Sequence, residues 1–357
     1  EKGKLVKKRL AHGLEIEPDD DVFVTMRDAI TGREYIRPSV ELAERGMFVE
    51  LGAYDCHVFV DFQTVRDGDE RRHRELCERL EGRGVDSLDF ELRHLRLEPL
   101  HDKIERLLGG AWIEAFTDGL ADADTVEQAR PALADFATRL AEFGREDSSD
   151  WYVGCAERAL EVLLDFESYM ETTPAITQAD ADESDLRPAW ATLFAWAILR
   201  PIGGEAIDDH SGLYARSYFD EWSLVPVLAD LFTARGLADD RAERAAEIVR
   251  FGVARQRWFT DDDFVELPPD AFFNELLDDP DARRLMGVNR HDDVLWFHHE
   301  SFVDFMHWLT RFGALYAALD GETGEIAPPD ALREKVAALL EASKGAEFRV
   351  EGVFEGL

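Results

Sequence analysis

Between residues 22 and 67 apolar side chains recur at every second position; beyond that they recur every three or four. DVFVTMRDAITGREYIRP sets two strand-like runs about a Thr31-Gly32 turn, where Gly32 can supply the positive φ that tight turns need. MFVELGAYDCHVFVDFQTV follows, with Met47, Val49 and Leu51 alternating, then Cys56, Val58, Val60 and Phe62. A period of two places each set on one face of a half-buried strand. From about residue 68 the period lengthens. ERRHRELCERLEGRG and EPLHDKIERLLGG read as helices stopped by glycine. Helical spacing continues through VEQARPALADFATRLAEFG, WYVGCAERALEVLLDFESYM, LRPAWATLFAWAILRPIG, SLVPVLADLFTARG, RAERAAEIVRFGVARQRWF, PDAFFNELLDD, VLWFHHESFVDFMHWL and PPDALREKVAALLEASKG. Linkers such as TQADADESD and GGEAIDDHSG separate these segments, and no fixed period marks a helical repeat array. The pattern predicts an α+β chain, mostly α: a small antiparallel β-module over residues 1–67, then a large all-α helical domain over 68–357.

Composition sharpens that picture. A chain of 357 residues with 45% hydrophobic content can bury a substantial core and is long enough for two domains. Its 76 acidic residues outnumber 40 basic ones, for a net charge of −36, and only seven of the basic residues are Lys. A phosphate backbone would be repelled, so no nucleic-acid partner is expected. The acids could attract a cationic partner or keep the chain soluble in concentrated salt. They are spread along the whole sequence, as DDD at 19–21, DADESD at 180–185, DDD at 261–263 and DDPD at 278–281. That spread favours a solvated surface whose self-repulsion is screened at about 1 M salt, where the Debye length is about 3 Å, as in an extreme halophile.

Cys56, Cys77 and Cys155 are widely spaced with no CxxC pair, so neither a disulfide framework nor a structural zinc site is expected. No apolar run approaches the roughly 18 residues of a membrane span, and no signal-peptide pattern opens the chain. A cytoplasmic location with no membrane partner is the expectation. The start at Glu1, without Met, reads as a piece of something longer.

The densest chemistry lies in VLWFHHESFVDFMHWL, residues 294 to 309, where His299, Glu300, Asp304 and His307 could bind metal. A zinc-protease helix needs two His four apart beside a Glu. Here His299 and His307 stand eight apart, with Val303 where the second ligand should be. Phe302, Phe305, Met306, Leu309 and Tyr316 instead form an apolar stripe, with Glu300, Asp304, His307 and Arg311 opposite it. The expected element is an amphipathic helix with its polar face in solvent. A stand-alone helical enzyme holding a divalent metal on this segment is the alternative. YFDEW places Asp220, Glu221 and Trp222 together as sugar sites often do. Trp112, Trp151, Trp222 and Trp258 flank polar linkers and are candidate stacking platforms, whereas Trp190 and Trp196 belong to a core helix. Serine elbows and phosphate-binding glycine loops are absent, no catalytic residue is assigned, and no cofactor is implied.

Two stretches carry a resemblance. MRDAITGREYIRPSVELAERGMFVELGAYDCHVFVDFQTVRD, residues 26 to 67, resembles the segment after the catalytic barrel in large α-amylase-superfamily glycosidases, through TGREYIR and LGAYDCHVFVDF. GVNRHDDVLWFHHESFVDFMHWL, residues 287 to 309, resembles part of the helical extension that follows, and GRGVDSL and LEPLHDKIERLL resemble its beginning. The resemblance implies a non-catalytic C-terminal portion that stabilises an absent barrel, on the same or a neighbouring polypeptide, and assists binding of α-glucan polysaccharide. The family's catalytic Asp, Glu and second Asp sit in barrel motifs missing here, so none is carried over. Relatives place Asn at the position of His298 and a variable residue at His299, so no metal-binding imidazole is implied. Glu300 matches a recurring Glu, whose implied place is a helix start, where exposed N–H groups favour a carboxylate. A protein interaction scaffold without small-molecule chemistry is the remaining alternative.

Overall fold

The computed structural model describes residues 9–49, 51–52, 54, 56–109, 111–117, 121–142, 149–172, 187–204, 211–260, 264, 266–320 and 326–357. The chain is α+β and mostly helical, and forms two compact units, Glu1–Pro99 and Leu100–Leu357. The division falls inside a helix, at Pro99, rather than at the change of period near residue 67. Two helical segments past residue 67 are bound to the sheet by their leucines, which places them with the β-structure.

In the first unit, α1 (Leu10–Gly13) precedes β1 (Val22–Asp28), β2 (Glu34–Pro38), α2 (Ser39–Glu44), β3 (Phe59–Arg66), α3 (Arg72–Leu80) and the part of α4 (Leu88–Gly109) up to Pro99. The strands form an antiparallel sheet in the order β2-β1-β3. Gly32, at φ 75°, closes the β1–β2 turn as its position requires. Alternation along β1 sends Phe23 to a cluster with Ile36, Leu76, Leu80, Leu88 and Leu95. Val24 and Met26 go to a second cluster with Ala11, Ile16 and Leu42. Both faces of the central strand are thereby covered.

Two expected features differ. Met47–Val49 form no strand. The chain after Pro38 turns into α2 instead, fixed by Ser39, whose hydroxyl donates to the Asp19 carbonyl (2.9 Å) and accepts from the Asp19 amide (3.0 Å). The expected alternation of Cys56, Val58, Val60 and Phe62 is also broken. A β-bulge interrupts the β1–β3 register between Thr25 and Arg27, and Asp61 within it has φ 56°. The extra residue shifts the phase by one, so Phe59 and Phe62 both reach the Val24 cluster while Val58 and Cys56 are left exposed.

The second unit holds α5 (Ala111–Thr117), α6 (Ala123–Glu142), α7 (Ser149–Thr172) and α8 (Arg187–Leu199), then a 3-10 turn (Arg200–Gly203). It continues with α9 (Ser211–Glu221), α10 (Leu224–Ala234), α11 (Asp239–Ala254), α12 (Arg257–Thr260), α13 (Pro269–Asp278) and α14 (Pro280–Leu285). A hairpin of β4 (Asn289–His291) and β5 (Val294–Trp296) leads into α15 (His299–Asp320), α16 (Asp330–Gly345) and α17 (Val350–Gly356). α8 is apolar on every side, and Trp190 and Trp196 are buried in it as its composition predicts. The Trp196 indole N–H donates to the Tyr316 hydroxyl (3.3 Å), which donates to the Gly252 carbonyl (2.9 Å), tying α8, α15 and α11 together.

Val294–Trp296 are strand, not the first turn of a helix. The helix starts only at His299, because residues 294–296 pair back onto Asn289–His291 and Trp296 also bridges to Arg349. Nor does the polar face of α15 meet solvent throughout. Arg311 is buried with its guanidinium 4.7 Å from the centre of the Trp308 ring.

Candidate functional site

The most concentrated charged chemistry lies where α9, α11 and α14 meet. Arg250 on α11 reaches Asp220 at 2.8 Å, Asp281 at 3.0 Å and Glu247 at 3.5 Å. Asp279 accepts from Arg255 Nε at 2.7 Å and caps α14 through the amides of Asp281 and Ala282. Arg284 reaches Glu247 at 2.5 Å and Asp281 at 3.2 Å, and Arg216 reaches Asp281 at 3.4 Å. Burial disfavours the charge on Arg250, but Asp281, Asp220 and Glu247 outweigh it and raise its pKa. Four arginines thus offset four carboxylates. Guanidinium groups stay charged in proteins, and each of the four carboxylates meets at least one of them, so the assembly ties α9, α11 and α14 together. Asp279 and Asp281 belong to the DDPD run expected to be solvated; arginines from two other segments draw them inside.

Asp220 therefore acts as an outer member of the network. Glu221 is exposed and accepts the Ser217 hydroxyl at 2.7 Å, one helical turn back. Trp222 offers no sugar-stacking face: it is 4% exposed, stacked on Tyr218 at 4.4 Å, and its carbonyl accepts from His101 Nε2 at 2.7 Å. The four-residue helical spacing of Tyr218 and Trp222 makes them cover each other. Trp112 falls in α5, with its side chain outside the described residues. Trp258 is partly covered, stacked on Phe264 at 4.7 Å.

The metal candidates go separate ways. Asp304 accepts from Arg244 Nε at 2.8 Å, Glu300 lies 3.3 Å from His298, and His299 stands between the rings of Phe297 and Phe348. His307 lies on the half-buried side of α15. Among the described residues, no group of three or more His, Cys, Asp or Glu could hold a metal ion. His298 has a local task. Its Nδ1 accepts from the Ser301 amide at 3.4 Å, and its carbonyl accepts from the Phe302 amide at 2.9 Å, so it caps α15. Glu300 falls in the first turn.

Two His–Asp pairs escaped the sequence reading. Asp28, buried at the end of β1, accepts the Thr31 hydroxyl (2.6 Å), His57 Nδ1 (2.8 Å), and the amides of Val58 (3.0 Å) and Ile30 (3.1 Å). Led by the Thr31 hydroxyl, these donors hold its carboxyl well below the usual carboxylate range despite desolvation. Asp67 accepts His73 Nδ1 at 3.1 Å and the amides of His73 and Arg74, both at 3.0 Å. Burial works against its charge, but those donors prevail and its pKa is also lowered. Each pair has the base–orienter half of a nucleophilic triad. Among the described residues, no hydroxyl or thiol is hydrogen-bonded to the other ring nitrogen of His57 or His73. Both aspartates staple the backbone. Asp28 sits two residues before Ile30 in a turn, and that local Asx geometry was the available sequence signal.

Near the β4–β5 hairpin, Pro280, Arg283, Arg284, Gly287, Val288 and Asn289 line an open concavity of about 450 Å³. Close by, Glu347 and Phe348 have φ of 49° and 65°. Such angles cost on the order of 1–3 kcal/mol at a non-glycine residue. The Phe348 carbonyl, which accepts from the Phe297 amide at 2.9 Å, holds this conformation against β5.

No protein-family model matches the chain, and no curated protein or solved structure matches it either.

Proposed function

We propose that the chain is the non-catalytic C-terminal portion of an α-glucan-active glycosidase, with the first unit docking a catalytic barrel and the helical unit serving polysaccharide binding. One observation carries the reading. Exposed large apolar residues gather on the stretch that resembles the post-barrel module: Ile30, Phe48, Leu51, Tyr54 and Val58, with Phe48 80% exposed. On a chain of net charge −36, a cluster of this kind is what a partner surface requires. Ile30 and Val58 are neighbours because Asp28 binds both of their amides. The residues that carry the resemblance are thus used to hold a surface in place.

The genomic reading frame upstream of Glu1 tests the proposal. A barrel bearing the family's Asp, Glu and Asp motifs is the expected finding, and its absence from that frame and its neighbours overturns the reading. A protein-level test follows. Phe48→Ser with Leu51→Ser should change the stability of the isolated chain by no more than about 0.5 kcal/mol, the usual range for exposed positions. The same pair should weaken its association with the barrel.

A further inference from the structure

We infer that Phe348 and His299 form a subsite for one neutral pyranose ring; the choice of an α-glucan as the sugar rests on the function proposed above. Phe348 lies between α16 and α17, in a left-handed conformation that a phenylalanine rarely adopts, and the residue is 57% exposed. The conformation is therefore not maintained to bury the ring. It is maintained by pairing, through the Phe297 amide on the Phe348 carbonyl and the bridge between Trp296 and Arg349. The ring is thus presented to solvent from a backbone fixed on both sides.

His299 completes a corner. Its imidazole stands 6.3 Å from the Phe348 ring at an interplanar angle of 82°, is partly buried, and has no hydrogen-bond partner among the described residues. A pyranose has one apolar C–H face and a rim of hydroxyls that both donate and accept. An aromatic face suits the first, and a neutral imidazole, with one donor and one acceptor nitrogen, suits the second. Glu300 and Glu347, next to these residues in sequence, face His298 at 3.3 Å and Arg349 at 3.8 Å. The net charge of −36 disfavours an anionic ligand. A cationic ligand would prefer a tryptophan face, and at molar salt its long-range attraction is screened.

Calorimetric titration of the full chain with maltoheptaose, in KCl at about 1 M or above, tests the inference. Wild-type chain should bind, and Phe348→Ala should weaken binding roughly three- to tenfold, the worth of one aromatic contact. Phe348→Trp should keep it, and His299→Ala should weaken it. Phe348→Gly is the sharpest variant, because it relieves the positive φ: its melting temperature should hold or rise while binding falls as in the Ala variant. Equal binding by wild type and Phe348→Gly would place the sugar elsewhere and overturn the subsite. Binding of tetramethylammonium in preference to maltoheptaose would make the corner a cation site and overturn it too. Absence of any maltoheptaose binding also overturns it while leaving barrel docking intact, since docking is judged by the upstream reading frame.

Discussion

A single carboxylate, Asp28, joins the Thr31 turn, the β1 strand end and the chain at His57 and Val58. Its pKa is depressed in the fold, whereas an aspartate in the unfolded chain titrates near about 3.9. The stabilisation it gives is therefore complete above that pH and is lost as pH falls from there through the folded value. Melting curves should show the wild type losing stability below about pH 4. Asp28→Asn should start lower at neutral pH and fall less steeply in acid. Arg250 makes a larger single-residue prediction. With its side chain 9% exposed against three carboxylates, Arg250→Met leaves buried charge uncompensated and should cost about 3–5 kcal/mol in denaturant unfolding. The exposed Arg27–Asp61 pair, at 2.7 Å, should contribute no more than about 1 kcal/mol, since water already solvates both groups. Asp28 carries one local sequence signal, its place two residues before Ile30 in a turn; its contacts with His57 and Val58, and the pairing of Asp281 with Arg250, come from distant segments that nothing marks in a chain with 76 acids.

At the scale of elements, period was a good guide until something local changed its phase. The helices from α3 to α16 follow three-and-four spacing, and α8 is buried all round as its composition predicts. The bulge at Asp61 adds one residue and reverses which side of β3 faces inward, a change that alternation cannot register. Val294–Trp296 was absorbed into a helix because its apolar residues run on into the α15 stripe, and only pairing with β4 distinguishes it. Glycine inside a helix is another case. Gly252 ordinarily invites replacement by alanine, which is the better helix former. A Cβ there would lie 2.4 Å from Phe312 Cζ, where α11 approaches α15. Gly252→Ala should therefore destabilise, by about 1–3 kcal/mol, with a matching drop in the urea midpoint.

At the scale of the molecule, charge sets the working conditions. With a net charge of −36, self-repulsion at low ionic strength opposes every compact state, and about 1 M salt shortens its reach to about 3 Å. The melting temperature should rise steeply with KCl up to about 1 M and then level, by circular dichroism; a flat response would show that the acids are compensated locally. The fold class was legible in the sequence, because two periodicities occupy separate stretches. The candidate sites were not. YFDEW drew attention to Trp222, which is buried, while Phe348, a lone phenylalanine in KGAEFRV, gave no sign of its exposure. Side-chain exposure at a strained turn depends on backbone angles that neighbouring residue types do not specify.

The position of β3 has a further consequence. It is an outer strand of its sheet among the described residues, following in sequence the exposed Phe48, Leu51, Tyr54 and Val58, and an open strand edge near a sticky surface invites copies of a chain to stack into fibres. The kink at Asp61, with its carboxylate facing Arg27, spoils the straight ladder that such stacking needs. One irregular residue thus leaves an exposed apolar patch beside a strand edge that is poorly shaped for stacking copies of the chain.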